Sequence, residues 1–380
     1  MTPPVVTFRG GPIFDGENLR DGLALRLEHG VVTALDAEDR VPWDGQVVDL
    51  DGDILAPGYV DLQVNGGGGV MFNDDPSAAT LTRIAAAHRG LGTAAMLPTL
   101  ITDTPDHVAA AIAAVETAIA AGIRGIAGLH LEGPHLSLAR KGAHDPALIR
   151  AMTEDDLTLL LGAAARLPVL MVTIAPESVT LEQAAALARA GVLLSLGHTD
   201  ADYATCLAYQ AAGVRCVTHL FNAMRGLGNR EPGVVGAALD SGGLSAGLIA
   251  DAIHVHPAAM RAAFAAKRGP GQIFLVSDAM APAGTQIESF ALNGRVVSRA
   301  KGRLTLADGT LAGADLALTQ ALDVVVNQVG LDLAQALRAA TSVPARLAGL
   351  GGASLTPGSQ GLMIRIGKTL DHCAPIATTV

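Results

Sequence analysis

Four short apolar runs of the sequence are followed by acidic or imidazole side chains, namely Glu132, His198, His219 and Asp278. One carboxylate and two imidazoles make a three-ligand set that leaves a position open for water, which is typical of catalytic metal sites. A divalent metal held there would polarise a carbonyl and lower the pKa of water. Asp278 would then be available to take a proton from that water and return it to a leaving amine.

Each of these residues also has a purely structural interpretation. A single histidine at the end of an apolar run is more often a hydrogen-bonded rim or core residue than a metal ligand. Glu132 could cap the following turn, and Asp278 could cap a helix. His130 points the same way as Glu132 in an extended run, so it is either a partner of the site or a core residue. The convergence of four such strand ends favours one shared site.

Apolar runs of strand length alternate with alanine- and leucine-rich stretches from residue 59 onward. The runs are typical of strands buried on both faces, and they cover residues 59–64, 93–97, 126–131, 169–174, 192–196, 215–217, 244–249 and 273–276. Helical stretches between them include residues 77–90, 105–121, 154–166, 181–190, 201–212 and 257–267. The alternation fits a (β/α)₈ TIM-type barrel, although an open doubly wound sheet gives the same pattern. The polar residues at the C-terminal ends of the runs favour the barrel, because barrel active sites lie on that rim.

The two ends of the chain have the pattern of short strands. Residues 1–55 contain a hairpin pattern of alternating positions around a glycine turn. Residues 286–311 interrupt the barrel pattern with two hairpin-like pieces, which we interpret as an insertion after the eighth strand. We expect residues 1–55 and 350–380 to build one small β-sandwich domain, and residues 56–349 to form the barrel.

The composition excludes several classes of partner. A formal net charge of −10 disfavours nonspecific binding to nucleic acid or to an anionic membrane. Three cysteines without a close pair indicate a reducing compartment rather than a disulfide framework. No stretch approaches the ~18 apolar residues of a membrane span, and residues 1–10 lack the pattern of a signal peptide. We therefore expect a cytoplasmic protein without nucleic-acid or membrane partners.

One predicted loop combines backbone amides with basic side chains. Residues 222–226 include a glycine turn and Arg225, and Arg230 follows them. Backbone amides and arginines of this kind can hold a phosphate, and the alternative is a solvated basic loop. Together with His254, the two arginines would form a cationic cluster near the rim of an otherwise acidic protein.

Eight short motifs follow one another between about residues 56 and 350. They are Ala-Pro-Gly-Tyr-Val-Asp (56–61), His-Leu-Glu-Gly-Pro (130–134), Lys-Gly-Ala-His (141–144), Gly-His-Thr (197–199), Thr-His-Leu-Phe-Asn-Ala-Met (218–224), Arg-Glu-Pro-Gly (230–233), Ala-Asp-Ala-Ile-His (250–254) and Ser-Asp-Ala-Met-Ala-Pro-Ala-Gly (277–284). In order and spacing the sequence resembles the N-acetylglucosamine-6-phosphate deacetylases of the amidohydrolase superfamily. The resemblance implies that Glu132, His198 and His219 hold the metal. It also implies that Asp278 is the general base and then the acid, and that His144 helps to polarise the acetyl carbonyl.

The resemblance further implies a substrate and a homodimer. His254 would contact the sugar, and Asn222 and Ala223 would present backbone groups to the phosphate. Arg230 would reach the phosphate bound in the neighbouring subunit. The implied reaction converts N-acetyl-D-glucosamine 6-phosphate to D-glucosamine 6-phosphate and acetate, in the catabolism or recycling of amino sugars. The alternatives are a deacetylase for the galactosamine epimer and a non-catalytic sugar-phosphate-binding protein.

The sequence departs from the superfamily pattern at two places. Many amidohydrolases carry His-x-His on the first strand for a second metal, and here Gln63 and Asn65 occupy those positions. Because amides are weak ligands for zinc or iron, we expect one divalent metal per chain. The Glu-His-His set suits zinc or iron first, and cobalt or manganese second. Residues 357–363 depart from the usual Ala-Asp-Leu pattern of the C-terminal strand.

Overall fold

The N-terminal part of the chain forms short strands in two sheets. The computed structural model describes residues 5–351 and 353–376. Its first strands are β1 (Val5–Arg9), β2 (Ile13–Phe14), β3 (Leu19–Arg20), β4 (Leu23–Glu28), β5 (Val31–Ala37), β6 (Gln46–Asp49) and β7 (Ile54–Pro57). One sheet has the order β5-β4-β1-β6, and β7, β2 and β3 belong to a second. Apolar side chains from both sheets, including Phe8, Leu25 and Leu55, form a small core of their own.

A parallel barrel follows directly after β7. Strand β8 (Tyr59–Val64) opens it, and a hairpin of β9 (Gly66–Gly67) and β10 (Val70–Met71) comes next. The remaining barrel strands are β11 (Thr93–Ile101), β12 (Leu129–Glu132), β13 (Leu170–Ile174), β14 (Leu193–Leu196), β15 (Cys216–Val217), β16 (Ser245–Leu248) and β17 (Ile273–Leu275). They lie side by side in chain order. The predicted barrel is confirmed.

The first and last barrel strands meet through backbone hydrogen bonds. The Asp278 amide donates to the Gln63 carbonyl at 3.0 Å, and the Asn65 amide donates to the Ala279 carbonyl at 2.9 Å. This seam places the end of β8 beside the segment that follows β17. Residue 278 therefore shares one edge of the barrel with residues 63 and 65, which lie more than 200 positions before it in the sequence.

Helices cover the outside of the barrel. They are α1 (Ala78–Gly90), α2 (Pro105–Ala120), α3 (Glu154–Ala164), α4 (Leu181–Arg189), α5 (Tyr203–Ala211), α6 (Gly233–Asp240), α7 (Pro257–Ala266), α8 (Leu318–Asp323), α9 (Leu333–Ala340) and α10 (Ser342–Leu347). Thr153 and Thr180 begin α3 and α4 with reciprocal capping boxes, which satisfy otherwise unpaired amides. Across residues 5–351 and 353–376, the helices are too short or too polar to cross a membrane.

The insertion forms a sheet of its own, and the C-terminal tail adds strands to the sheet that contains β7. Strands β18 (Ser289–Leu292), β19 (Arg295–Ala300) and β20 (Arg303–Thr305) form an antiparallel sheet, and β21 (Met363–Ile366) and β22 (Cys373–Ile376) end the fold. β21 pairs antiparallel with β7. The divergent tail also contacts the other sheet through its backbone, since the Gly358 amide donates to the Val32 carbonyl of β5 at 2.7 Å. We propose the predicted division, 1–55 with 350–380 and 56–349, as the domain boundaries.

Candidate active site

Three side chains converge at the C-terminal ends of neighbouring barrel strands. Glu132 is the last residue of β12, and His198 and His219 follow β14 and β15 by two positions. One ligand atom from each residue lies within 4.8 Å of the others, and all three residues are buried. The two Nε2 atoms are 3.0 Å apart, and they lie 3.2 and 2.9 Å from Oε1 of Glu132.

The chemistry of this donor set fits a divalent cation. The His198 Nδ1 lies 2.8 Å from the Arg140 carbonyl, so it carries the proton and leaves the Nε2 lone pair free. Burial opposes the charge of Glu132, but the close contacts with the imidazoles of His198 and His219 outweigh it and hold the pKa of the carboxyl well below its usual range. An ionised carboxylate and an imidazole lone pair therefore point at the same small volume. This is the ligand set of a catalytic metal site.

Asp278 lies at the same rim and is held by two amides. Its Oδ1 accepts an N–H from Asn65 at 2.7 Å and one from Gln63 at 3.2 Å. The Gln63 Nε2 also lies 3.2 Å from Oε1 of Glu132 and so bridges the two carboxylates. Burial, aided by the charge of Glu132, raises the pKa of Asp278 to about 6. Gln63 and Asn65, which the sequence analysis identified only as weak metal ligands, are therefore the residues that orient Asp278.

His144 lies against the metal-ligand candidates. Its ring centroid is 4.3 Å from that of His198, and its Nδ1 is 2.8 Å from the hydroxyl of Thr102. Burial, followed by the proximity of His198, lowers the pKa of His144 to about 3. The imidazole is therefore neutral near pH 7 and can offer one N–H as a hydrogen-bond donor.

The backbone at the rim adopts conformations that are uncommon for residues other than glycine. The φ angles are 47° at His198, 30° at His219, 49° at Asp278 and 49° at Ala223. Left-handed residues of this kind cost about 1–3 kcal/mol each and are concentrated at functional sites. All four of these residues line the same cavity.

A cavity of about 440 Å³ connects these groups with the predicted substrate contacts. Asn222, Ala223 and His254 line it together with the metal-ligand candidates, His144 and Asp278. Leu292 and Leu311, both from the insertion, also line the cavity, so this region covers one side. A volume of this size accommodates a small polar ligand.

The predicted cationic cluster is not a single group of free charges. Arg225 donates to Asp200 at 2.7 Å, and that carboxylate also binds Arg140. His254 is paired with Asp251. Arg230 is exposed outside the cavity lining, and its side chain has no hydrogen bond or ion pair within the described ranges. Its predicted role in a neighbouring subunit remains a prediction.

Comparison with known proteins places the chain in a family. Residues 54–367 match the model of the amidohydrolase family. The chain is 42% identical over 341 residues to the N-acetylgalactosamine-6-phosphate deacetylase of a Shewanella species, covering 88% of this chain and 85% of that protein. It is 33% identical over 335 residues to the N-acetylglucosamine-6-phosphate deacetylase of Haemophilus influenzae, covering 87% and 86%.

Solved structures agree with this assignment. The N-acetylglucosamine-6-phosphate deacetylase of Pasteurella multocida superposes with a TM-score of 0.92 at 30% identity, and 98% of each chain is covered. A mutant of the Mycobacterium smegmatis enzyme, in complex with N-acetyl-D-glucosamine-6-phosphate, gives a TM-score of 0.90 at 30% identity and covers 100% of this chain and 98% of its own. The chain therefore belongs to the amidohydrolase family, in the branch that contains the N-acetylhexosamine-6-phosphate deacetylases.

Proposed function

We propose that the chain hydrolyses the acetamide of N-acetyl-D-glucosamine 6-phosphate to D-glucosamine 6-phosphate and acetate. The observation that carries the proposal is the buried Glu132–His198–His219 set, which shares one cavity with the amide-held carboxylate of Asp278. A reactive centre of this kind on the C-terminal rim of a barrel is the arrangement of a metal-dependent hydrolase. The reaction belongs to amino-sugar catabolism or recycling, and we place it in the cytoplasm.

The side chains around the cavity have different roles in the reaction. A divalent cation held by Glu132, His198 and His219 would polarise the acetyl carbonyl and lower the pKa of water. Asp278 takes one proton from the attacking water while the water oxygen forms a bond to the acetyl carbon. The C–N bond then breaks, and Asp278 returns the proton to the departing nitrogen. His144, neutral near pH 7, donates its N–H to the acetyl oxygen.

The remaining predicted contacts recognise the sugar phosphate. Asn222 and Ala223 offer backbone groups to the phosphate, and His254 contacts the sugar. Arg230 of the partner subunit completes the phosphate site in a homodimer. We propose one cation per chain, zinc or iron first and cobalt or manganese second, because imidazole and carboxylate ligands suit all four.

The galactosamine epimer is a second candidate substrate. The observation that favours it is the 42% identity to a deacetylase named for N-acetylgalactosamine 6-phosphate, against 33% to one named for the glucosamine epimer. The two sugars differ in the orientation of one hydroxyl group, so both fit the same reaction chemistry.

Acetate release from both epimers, measured on metal-loaded protein, tests these proposals. We expect turnover of at least one 6-phosphate and a higher kcat/KM for the preferred epimer. The unphosphorylated sugars serve as controls and should react poorly. Binding of the phosphorylated sugars without acetate release would overturn the proposal and favour a non-catalytic binding protein.

A further inference from the structure

An acid–imidazole pair lies beside the cavity, just after β16. The Nδ1 of His254 is 2.6 Å from Oδ2 of Asp251, and the two side chains are 8% and 5% exposed. The other oxygen of Asp251 accepts the backbone N–H groups of Ile253 and His254 at 2.8 and 2.7 Å. One carboxylate therefore holds both the turn and the imidazole that the turn carries.

The same contacts determine where the imidazole proton lies. Burial opposes the charge of Asp251, but the contact with His254 and the backbone N–H groups of Ile253 and His254 together outweigh it and keep the pKa of the carboxyl below its usual range. An ionised carboxylate can only accept hydrogen bonds, so the Nδ1 of His254 carries a proton. The Nε2 atom has no hydrogen-bond partner within the described ranges, and His254 lines the cavity.

We infer that Asp251 is a positioning residue, which fixes the ring and the tautomer of His254 so that Nε2 is the atom presented to the sugar phosphate. The inference rests on the proposed function, in which His254 contacts the substrate. The backbone of the turn supports it, because Ala252 is held at a φ of 60° between the two residues. A carboxylate that anchors such a turn leaves the ring little freedom to rotate.

The substitution Asp251→Asn separates the two tasks of the carboxylate. The asparagine oxygen must remain on the two backbone N–H groups, since an amide NH₂ cannot accept them. Its NH₂ then faces Nδ1 of His254 as a donor, which moves the imidazole proton to Nε2. The turn is kept while the tautomer changes.

We expect Asp251→Asn to reduce kcat/KM for the preferred sugar phosphate by about 10- to 100-fold, the range for lost partners of site residues. In a His254→Gln background the same substitution should cost less than about twofold, because Asp251 acts through His254. The matched control is Asp371→Asn. Asp371 and His372 have the same 2.6 Å contact at an exposed position in the loop between β21 and β22, and this variant should keep its kcat/KM.

Nitrogen NMR of the histidine side chains provides a readout that does not depend on turnover. The His254 signals, assigned by their loss in His254→Gln, should show a proton on Nδ1 in the native protein and on Nε2 in Asp251→Asn. Unchanged kcat/KM in Asp251→Asn, an equal loss in the His254→Gln background, or an unaltered tautomer would each overturn the inference. Failure of the native protein to release acetate would instead refute the proposed function, and the NMR result would still decide the tautomer.

Discussion

The two carboxylate oxygens of Asp278 have different surroundings. Oδ1 accepts both amide N–H groups, while Oδ2 has no hydrogen bond within the described ranges. The second oxygen is therefore the one available for proton transfer. Asp278→Asn should slow turnover by about 10² or more, the loss expected for a general acid–base, with metal content and substrate affinity largely kept. Rapid kinetics with elemental analysis test this, and a collapse of metal content would identify Asp278 as a ligand.

The amide of Asn65 should influence the pH dependence of the reaction. Its hydrogen bond favours the ionised form of Asp278, whose pKa burial raises to about 6. Asn65→Leu removes that donor, so the protonated form is favoured and the acidic limb of kcat/KM should move to higher pH. The matched control is Asn327→Leu, which removes an exposed amide 2.7 Å from the half-buried Asp323. An acidic limb that stays in place in Asn65→Leu would contradict this role.

For single residues, the sequence predicted which side chains form the site but not the hydrogen bonds between them. The strand ends identified Glu132, His198, His219 and Asp278, because barrel topology brings such ends together. The role of Gln63 and Asn65 could not be predicted, since it depends on how β8 pairs with the segment after β17. The pair of Asp251 and His254 was missed for a similar reason, although their spacing of three residues was visible in the sequence.

The helices offer a prediction about stability. Asp156 completes the capping box of α3 and pairs with Arg150 at 2.6 Å. Burial opposes its charge, but the hydrogen bonds from Arg150 and from the amide and hydroxyl of Thr153 together outweigh it and lower the pKa of the carboxyl. Its contribution is therefore present at neutral pH and is lost as the pH falls below about 4.

Replacing Asp156 with alanine should lower the free energy of unfolding by about 1–2 kcal/mol, as for other lost caps. Thermal unfolding of the variant and the native protein measures the difference, which should shrink on acidification. Asp155→Ala, in the same helical turn but exposed, is the control. Equal melting temperatures for native protein and Asp156→Ala would refute the role of the box.

Elements were predicted best where the apolar pattern was strong. The run at residues 59–64 coincides with β8, whereas the run at 126–131 gives a strand at Leu129–Glu132. Helix α6 was not predicted, because Gly233 and Gly236 within it have low helix propensity. Its burial against the barrel outweighs that preference. The insertion forms a three-stranded sheet where two hairpin-like pieces were predicted.

For the whole molecule, the first prediction concerns metal stoichiometry. Because Gln63 and Asn65 hydrogen-bond to Asp278 instead of offering imidazoles, we expect about one divalent metal per chain. Elemental analysis after removal of loosely bound metal measures this, and His219→Ala should lose most of the bound metal. A ratio near two in the native protein would refute the single-metal proposal.

The second prediction concerns the subunit boundary. Asp278→Asn chains, mixed with Arg230→Ala chains under conditions of subunit exchange, should be more active at subsaturating substrate than either homodimer. In the mixed dimer the Arg230→Ala chain keeps its own Asp278 and receives Arg230 of the partner subunit. Charge-assisted contacts to phosphate are typically worth about 1.5–3 kcal/mol, so the gain should be measurable. No gain after demonstrated exchange, or an active monomer, would contradict a shared site.

The pairing of β7 with β21 has a consequence for how the chain is made. Met363 lies opposite Pro57, and their positions differ by 363 − 57 = 306 residues. During synthesis from the N-terminus, the edge of β7 therefore stays without β21 until the whole barrel has been synthesised. Contacts of such long sequence separation slow folding. The nascent N-terminal strands thus spend most of translation with an open edge that other chains, or a chaperone, can reach.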